Sequence, residues 1–142
     1  MDTVVFSIAL IFTALTFGGM TFFAMLIAPC VFIYLDEVNA GKLIRSIFPW
    51  YYIFVFISGG IGAVFAAMVS PYSAIGLAIT SIGAVTARTI LMPRINSARD
   101  KVTAGDLKAE KIFNRLHKVS VQLNFIGLIS SLTAIVFLSL SL

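Results

Sequence analysis

Charge is scarce in this sequence: Asp, Glu, Lys and Arg together make up 11% of its 142 residues, against about a quarter in an ordinary soluble domain. That shortage excludes a conventional water-soluble globule. Cysteine and histidine occur once each, so the chain has no internal disulfide, and one histidine does not complete a metal site without further ligands. CxxC, HExxH, Walker and GxSxG motifs are missing, which removes the motif-based grounds for thiol-redox, zinc-protease, nucleotide-hydrolysing or serine-hydrolase chemistry. What remains is 60% apolar and 13% aromatic, with a mean hydropathy of +1.05. This is the composition of a membrane protein.

The few charges are also unevenly placed. None falls between Asp2 and Asp36, between Arg45 and Arg88, or after Lys118, leaving uncharged stretches of 33, 42 and 24 residues. A helix needs about 20 apolar residues to cross a hydrocarbon core of about 30 Å, so the stretches hold one, two and one crossings. The predicted spans run over about 3–29, 48–69, 72–92 and 119–142, with Ser70-Pro71 as the turn inside the longest stretch. The fold class is therefore an all-α, integral membrane four-helix bundle forming one transmembrane domain, with no room for a second folded domain. The start, Met1-Asp2 followed by a long apolar run, reads as a retained helix rather than a cleaved signal peptide.

All ten lysines and arginines lie in the first loop or at and between the third and fourth spans. The positive-inside rule then places both charged connections in the cytoplasm and both termini outside, in a cell inner membrane. The net charge of +4 is first an orientation signal, and it also suits anionic lipid headgroups. A nucleic-acid surface does not fit, because Asp100, Asp106 and Glu110 interrupt the basic cluster and no aromatic platform accompanies it.

Compared with itself at an offset of 64, the chain pairs Thr16 with Thr80, Gly19 with Gly83, Pro29 with Pro93, and Asp36-x-Val38-x-Ala40-Gly41-x-Leu43 with Asp100-x-Val102-x-Ala104-Gly105-x-Leu107. After one inserted residue the likeness resumes, with Phe48 matching Phe113 and Gly62 matching Gly127. This pattern predicts two parallel-repeat helical hairpins. In each, Ala-Gly is the expected stop between helices. The connection over about 93–118 is expected to be helical, with Thr103 or Asp106 capping the fourth helix.

His117, Ser120, Asn124, Gly127 and Ser131 follow in steps of three and four and share one helix face. Gly59, Gly62 and Ala66 form the repeat-related small-residue face of the second span. A polar seam facing a small one either encloses a ligand or packs tightly. His117 is a candidate for haem or metal ligation, for proton transfer, or for an interfacial hydrogen bond. Arg88, about one turn inside the third span, is either an anion site or a snorkelling side chain. Cys30 is a second candidate metal ligand, soft enough for copper(I).

Ile47-Phe48-Pro49-Trp50-Tyr51-Tyr52, together with Phe113, Leu116, His117, Ser120, Val121 and Asn124, resembles the transmembrane protein 205-like family and its bacterial domain-of-unknown-function members. The resemblance covers nearly the whole chain and implies a four-helix membrane protein without an established biochemical activity. A weaker likeness to HemJ-type and copper resistance protein D membrane domains implies functional histidines, of which this chain has one. The expected function is thus non-enzymatic: binding or moving a small molecule or metal, or supporting a membrane complex, as a homo-oligomer or subunit. The expected binding or packing node is Arg88, His117, Ser120 and Asn124 with Tyr51 and Tyr52. The alternatives are a haem b oxidoreductase with His117 as axial ligand and a purely structural accessory subunit.

Overall fold

The computed structural model describes residues 3–141. Met1, Asp2 and the expected end of the last span at Leu142 lie outside the described residues. Four long helices account for almost everything else: α1 (Thr3–Tyr34), α2 (Glu37–Ala66), α3 (Pro71–Thr103) and α4 (Leu107–Ser139). Each is long and apolar enough to cross a bilayer. Large apolar side chains such as Ile11, Ile57, Ile82 and Phe125 point outward, as in a bundle whose surroundings are hydrocarbon rather than water. The architecture is that of a multi-pass, four-helix membrane bundle.

The helices outrun the uncharged stretches because charged residues propagate a helix as well as apolar ones do once it leaves the lipid. In α4 the uncharged part, Val119 to Ser139, is 21 residues, roughly 30 Å at about 1.5 Å per residue. The preceding turns from Leu107 carry the charges and stand outside. Asp106 caps this helix, its carboxylate accepting from the Lys108 N–H at 2.9 Å. Gly105 just before it has φ +91°, a left-handed conformation that glycine adopts at little cost.

The matching string in the first hairpin folds differently from expectation. The helix breaks at Leu35, which is extended, and Asp36 caps α2 by accepting from the Val38 and Asn39 N–H groups at 3.1 Å each. Ala40-Gly41 therefore lies within the first turns of α2, with Ala40 buried. The Ala-Gly stop holds only at Ala104-Gly105. An aspartate followed by two free helix N–H groups is the stronger local signal, and after the later string Asp106 supplies it six residues beyond Asp100.

Both odd-numbered helices contain one widened, π-helical turn, Phe23–Ile27 in α1 and Ala87–Leu91 in α3. Each closes on a bond from i to i−5, Ala28 N–H to Phe23 O and Met92 N–H to Ala87 O. A proline follows each turn by two residues, at Pro29 and Pro93. Proline has no N–H and its ring crowds the carbonyl four residues back; a wider turn relieves that crowding without breaking the helix.

Around the bundle α1 packs on α2, α2 on α3, α3 on α4 and α4 on α1, so that α2 and α4 stand on one diagonal. Hydroxyls tie the neighbours together inside the bundle. Thr16 and Ser58 meet at 2.9 Å between α1 and α2, and Ser81 donates to the Phe56 carbonyl at 3.0 Å between α3 and α2. Thr80 and Ser73 of α3 donate to the Gly127 and Ala134 carbonyls of α4 at 3.1 and 2.8 Å. Two apolar clusters fill the remainder. One near the termini includes Phe6, Ala66, Leu77 and Leu138; the other, toward the charged end, includes Met20, Tyr51, Tyr52, Val55 and Ala87.

Candidate functional site

Helices on a diagonal touch only through long side chains, and here two tyrosines provide the reach. The Tyr51 hydroxyl donates to Asn124 Oδ1 at 3.0 Å, crossing from α2 to α4. The Asn124 amide donates in turn to the Tyr52 oxygen at 3.3 Å and to the Ser120 carbonyl at 3.0 Å. Tyr52 and Ser120 complete the cluster, with their hydroxyl oxygens 3.3 Å apart. Both amide protons of Asn124 are thereby used, along with one lone pair of its oxygen.

Local chain geometry explains why this cluster forms. Tyr51 and Tyr52 lie one turn after Phe48 in α2, and the three rings pack on one another with centroids 5.2 to 5.8 Å apart. Phe23, which begins the widened turn of α1, stacks on Tyr51 at 4.4 Å and meets Phe48 edge-on at 5.2 Å. Ala87, which begins the widened turn of α3, belongs to the same buried cluster and presents only a methyl group. The two widened turns thus sit against the tyrosine pair, one with a ring and one with almost nothing. Aromatic pairs in these geometries hold their rings in place, and so aim both hydroxyls at Asn124.

The cluster is close-packed. Beside Asn124, Tyr52, Thr80 and Gly127 there is a void of about 10 Å³, room for one water at most, since a water needs about 10–15 Å³. Among the described residues no buried side-chain nitrogen or oxygen lacks a hydrogen-bond partner. A polar group in lipid is costly unless it is paired, and every buried one among the described residues is paired.

Of the six residues expected at the node, the structure brings Tyr51, Tyr52, Ser120 and Asn124 together and leaves two apart. Arg88 is exposed within the widened turn of α3 and makes no ion pair or hydrogen bond among the described residues. His117 is exposed, its ring parallel to that of Phe113 with centroids 6.0 Å apart. Three- and four-residue steps drift by about 20° per heptad relative to a straight helix, and His117 is at the outer end of its seam. The His117 ring lies on the outside of the bundle, and the void beside Asn124 holds no more than a water. Cys30 is half-buried, and no three His, Cys, Asp or Glu among the described residues gather as metal ligands.

The small residues of α2 do not face the polar seam. A Cβ on Gly59 would meet Leu77 O and Ser81 of α3 at 3.5 Å, and one on Gly62 would meet Leu77 at 3.1 Å and Phe12 of α1 at 3.4 Å. Ala66 is in the cluster with Phe6 and Leu77. Their role is to let α2 approach its two neighbours, whereas Gly127 of α4 makes room for the Met20 methyl and Thr80. Phe23, Phe48, Met20 and Thr80 belong to the node and were not expected there. The spacing of Phe48 to Tyr52, four residues, is the one sequence signal that points to any of them.

At the charged end the helices are braced across the bundle. Arg45 pairs with Asp100 at 2.7 Å and reaches the Asn96 carbonyl at 3.2 Å; Arg99 pairs with Glu37 at 3.1 Å and lies 5.4 Å over the Phe113 ring.

A protein-family model described as a domain of unknown function (DUF4149) matches residues 11–104. The matched segment takes in most of α1 and all of α2 and α3, including both tyrosines, and stops short of Ser120 and Asn124. No curated protein and no solved structure matches the chain.

Proposed function

The chain belongs to the DUF4149 family, a domain of unknown function, and from that premise we propose that it is a non-enzymatic, compact helical scaffold that supports a larger assembly in the membrane. The observation that carries this reading is the closed node: Tyr51, Tyr52, Ser120 and Asn124 satisfy one another around a void of about 10 Å³. A transported or bound molecule needs a cavity of about 300 Å³ or more, so the seam holds helices together instead. The kinship extends to the transmembrane protein 205-like type. In its support, the residues of its two motifs, Tyr51-Tyr52 and Ser120 with Asn124, are hydrogen-bonded to each other.

The bundle is two parallel copies of one hairpin, with both termini outside an inner membrane. Support for the duplication comes from the two widened turns, 64 residues apart and each two residues before a proline. At most a third of the residues in the apolar window of each helix are buried inside the bundle, and a scaffold uses part of the remaining surface for other helices. Native mass analysis of the full chain, extracted in a mild detergent, tests the scaffold reading. A mass well above the 15.4 kDa monomer is expected; a chain that is monomeric both in native membranes by cross-linking and after extraction overturns it. A Soret band in the purified protein after haem-replete expression also overturns it.

A further inference from the structure

Beyond the node, the outer turns of α3 and α4 enclose an open groove of about 460 Å³ between them. Its floor is made where Ala98 and Ala109, both nearly inaccessible, let the two helices touch. Ile112 and Leu116 of α4 form one wall, and Ile112 is 57% exposed. The opposite wall is α3, where Arg94, Ser97 and Lys101 share a face. Leu116 precedes by three residues the uncharged stretch that begins at Val119, so the groove opens where the chain leaves the hydrocarbon.

The two cations in this groove are uncompensated. Arg45 and Arg99, nearby, take the carboxylates of Asp100 and Glu37. Arg94 and Lys101 have no ion pair or hydrogen-bond partner among the described residues. Residues 93–118 hold seven basic and three acidic side chains, so the surroundings repel further cations and attract anions. The hairpin itself does not demand this charge: the positions 64 residues earlier are Cys30 and Glu37.

An exposed apolar wall facing unpaired cations at a membrane boundary matches one chemistry, a phosphate attached to an acyl chain. We propose that this groove is a site for one anionic phospholipid, its phosphate held by Arg94 and Lys101 with Ser97, and an acyl chain laid along Ile112 and Leu116 toward the bilayer. The site rests on the membrane placement of the bundle and not on the scaffold reading, so either can fail alone.

The test is native mass spectrometry of the full chain in a neutral detergent, titrated with phosphatidylglycerol or with phosphatidylcholine of the same acyl chains. One phosphatidylglycerol adduct is expected to persist where phosphatidylcholine is shed. Each well-placed cation near a membrane surface contributes roughly fivefold, so Arg94→Gln with Lys101→Gln should weaken retention about 25-fold. Lys108→Gln with Lys118→Gln removes the same charge outside the groove and should change it by less than about threefold. Ser97→Phe, at an exposed position, fills the groove with its charges intact and should also abolish retention, while circular dichroism shows each variant folded. Equal retention of phosphatidylcholine, equal loss in the Lys108 and Lys118 variant, or no loss in the Arg94 and Lys101 variant overturns the proposal. So does displacement by equimolar glycerol phosphate, or a lipid-free dimer cross-linked through Ser97→Cys.

Discussion

The Tyr51 hydroxyl and Asn124 Oδ1 lie 3.0 Å apart across a diagonal of the bundle, joining two helices that each pack mainly on α1 and α3. Interhelical hydrogen bonds in membrane bundles contribute about 0.6 kcal/mol on average and up to about 1.7 kcal/mol. Tyr51 has this one hydrogen bond, so Tyr51→Phe should destabilise by about that amount. Asn124→Ala also strips the Tyr52 contact and should cost about 1–2 kcal/mol. The double variant should show a coupling energy of about 0.5–1.5 kcal/mol in a thermodynamic cycle of unfolding in mixed micelles. Strict additivity would mean that the contact contributes nothing to the fold.

The four helices were legible because a charge in hydrocarbon is expensive enough to empty whole stretches of the sequence, and Ser120 with Asn124 were legible because steps of four align side chains on a helix. Neither kind of pattern carries the rotation of one helix about its axis relative to another. For that reason Gly59 and Gly62 meet other neighbours than their repeat-related positions suggest, and Arg88 and His117 lie outside the node that their sequence positions point to. The widened turns were hidden for a different reason. Pro29 and Pro93 signal disturbance in a helix, but whether the helix kinks, breaks or widens depends on what packs against it, and here it is Tyr51 and its neighbours.

Of the glycines between α3 and α4, Gly76 has the least room. A Cβ there would come within 2.6 Å of the Ser130 carbonyl oxygen, and backbone cannot swing aside as the end of a side chain can. Gly76→Ala should therefore destabilise by about 1–3 kcal/mol. At Gly127 the nearest atom is the Met20 methyl at 2.9 Å, which rotates away, so the cost should be smaller. Gly18 has nothing within 4 Å, and alanine there should be neutral or slightly stabilising through helix propensity. Thermal unfolding in detergent ranks the three, and a Gly76 variant as stable as the Gly18 variant would contradict the close α3–α4 contact.

The Asn39 N–H, followed by the Asn39 side-chain amide, holds the Asp36 carboxyl below its ordinary value of 3.8. A depressed folded value means that the cap stabilises the start of α2 fully above that ordinary value and loses its contribution as pH falls through the lowered one. Neutral and mildly acidic solutions should leave the cap intact. Amide exchange at Val38 and Asn39 should stay slow from pH 7 to about pH 5 and accelerate, beyond its intrinsic pH dependence, only below about pH 4. Asp36→Ala should remove the protection at every pH, whereas Asp36→Asn should keep much of it at all of them. Unchanged exchange in Asp36→Ala would remove the cap from the account of where α2 begins.

Arg45 and Asp100 are 43% and 64% exposed, which places their pair among surface ion pairs worth no more than about 1 kcal/mol. Arg45→Gln should accordingly lower stability by less than about 1 kcal/mol, and the difference should shrink in 0.5 M salt. Unfolding measured at two salt concentrations checks this. A loss that is large and independent of salt would show that the pair is covered by something absent from the isolated chain.

The distribution of cations predicts the direction of insertion. Lys42 and Arg45 begin α2, and the other eight basic residues run from Arg88 to Lys118, so all ten fall at the end of the bundle that holds the α1–α2 and α3–α4 connections. The α2–α3 connection at the opposite end carries none. Basic residues flanking a span are retained on the cytoplasmic side, so Ala104 should face the cytoplasm and Met68 the outside. In a Cys30→Ser background, a membrane-impermeant maleimide applied to intact spheroplasts should label Met68→Cys and leave Ala104→Cys unmodified until the membrane is permeabilised. Both positions are exposed in the fold, so failure to label reports the membrane barrier and not burial. Labelling of Ala104→Cys in intact spheroplasts, with Met68→Cys protected, would invert the topology and put the Arg94–Lys101 groove on the outer leaflet.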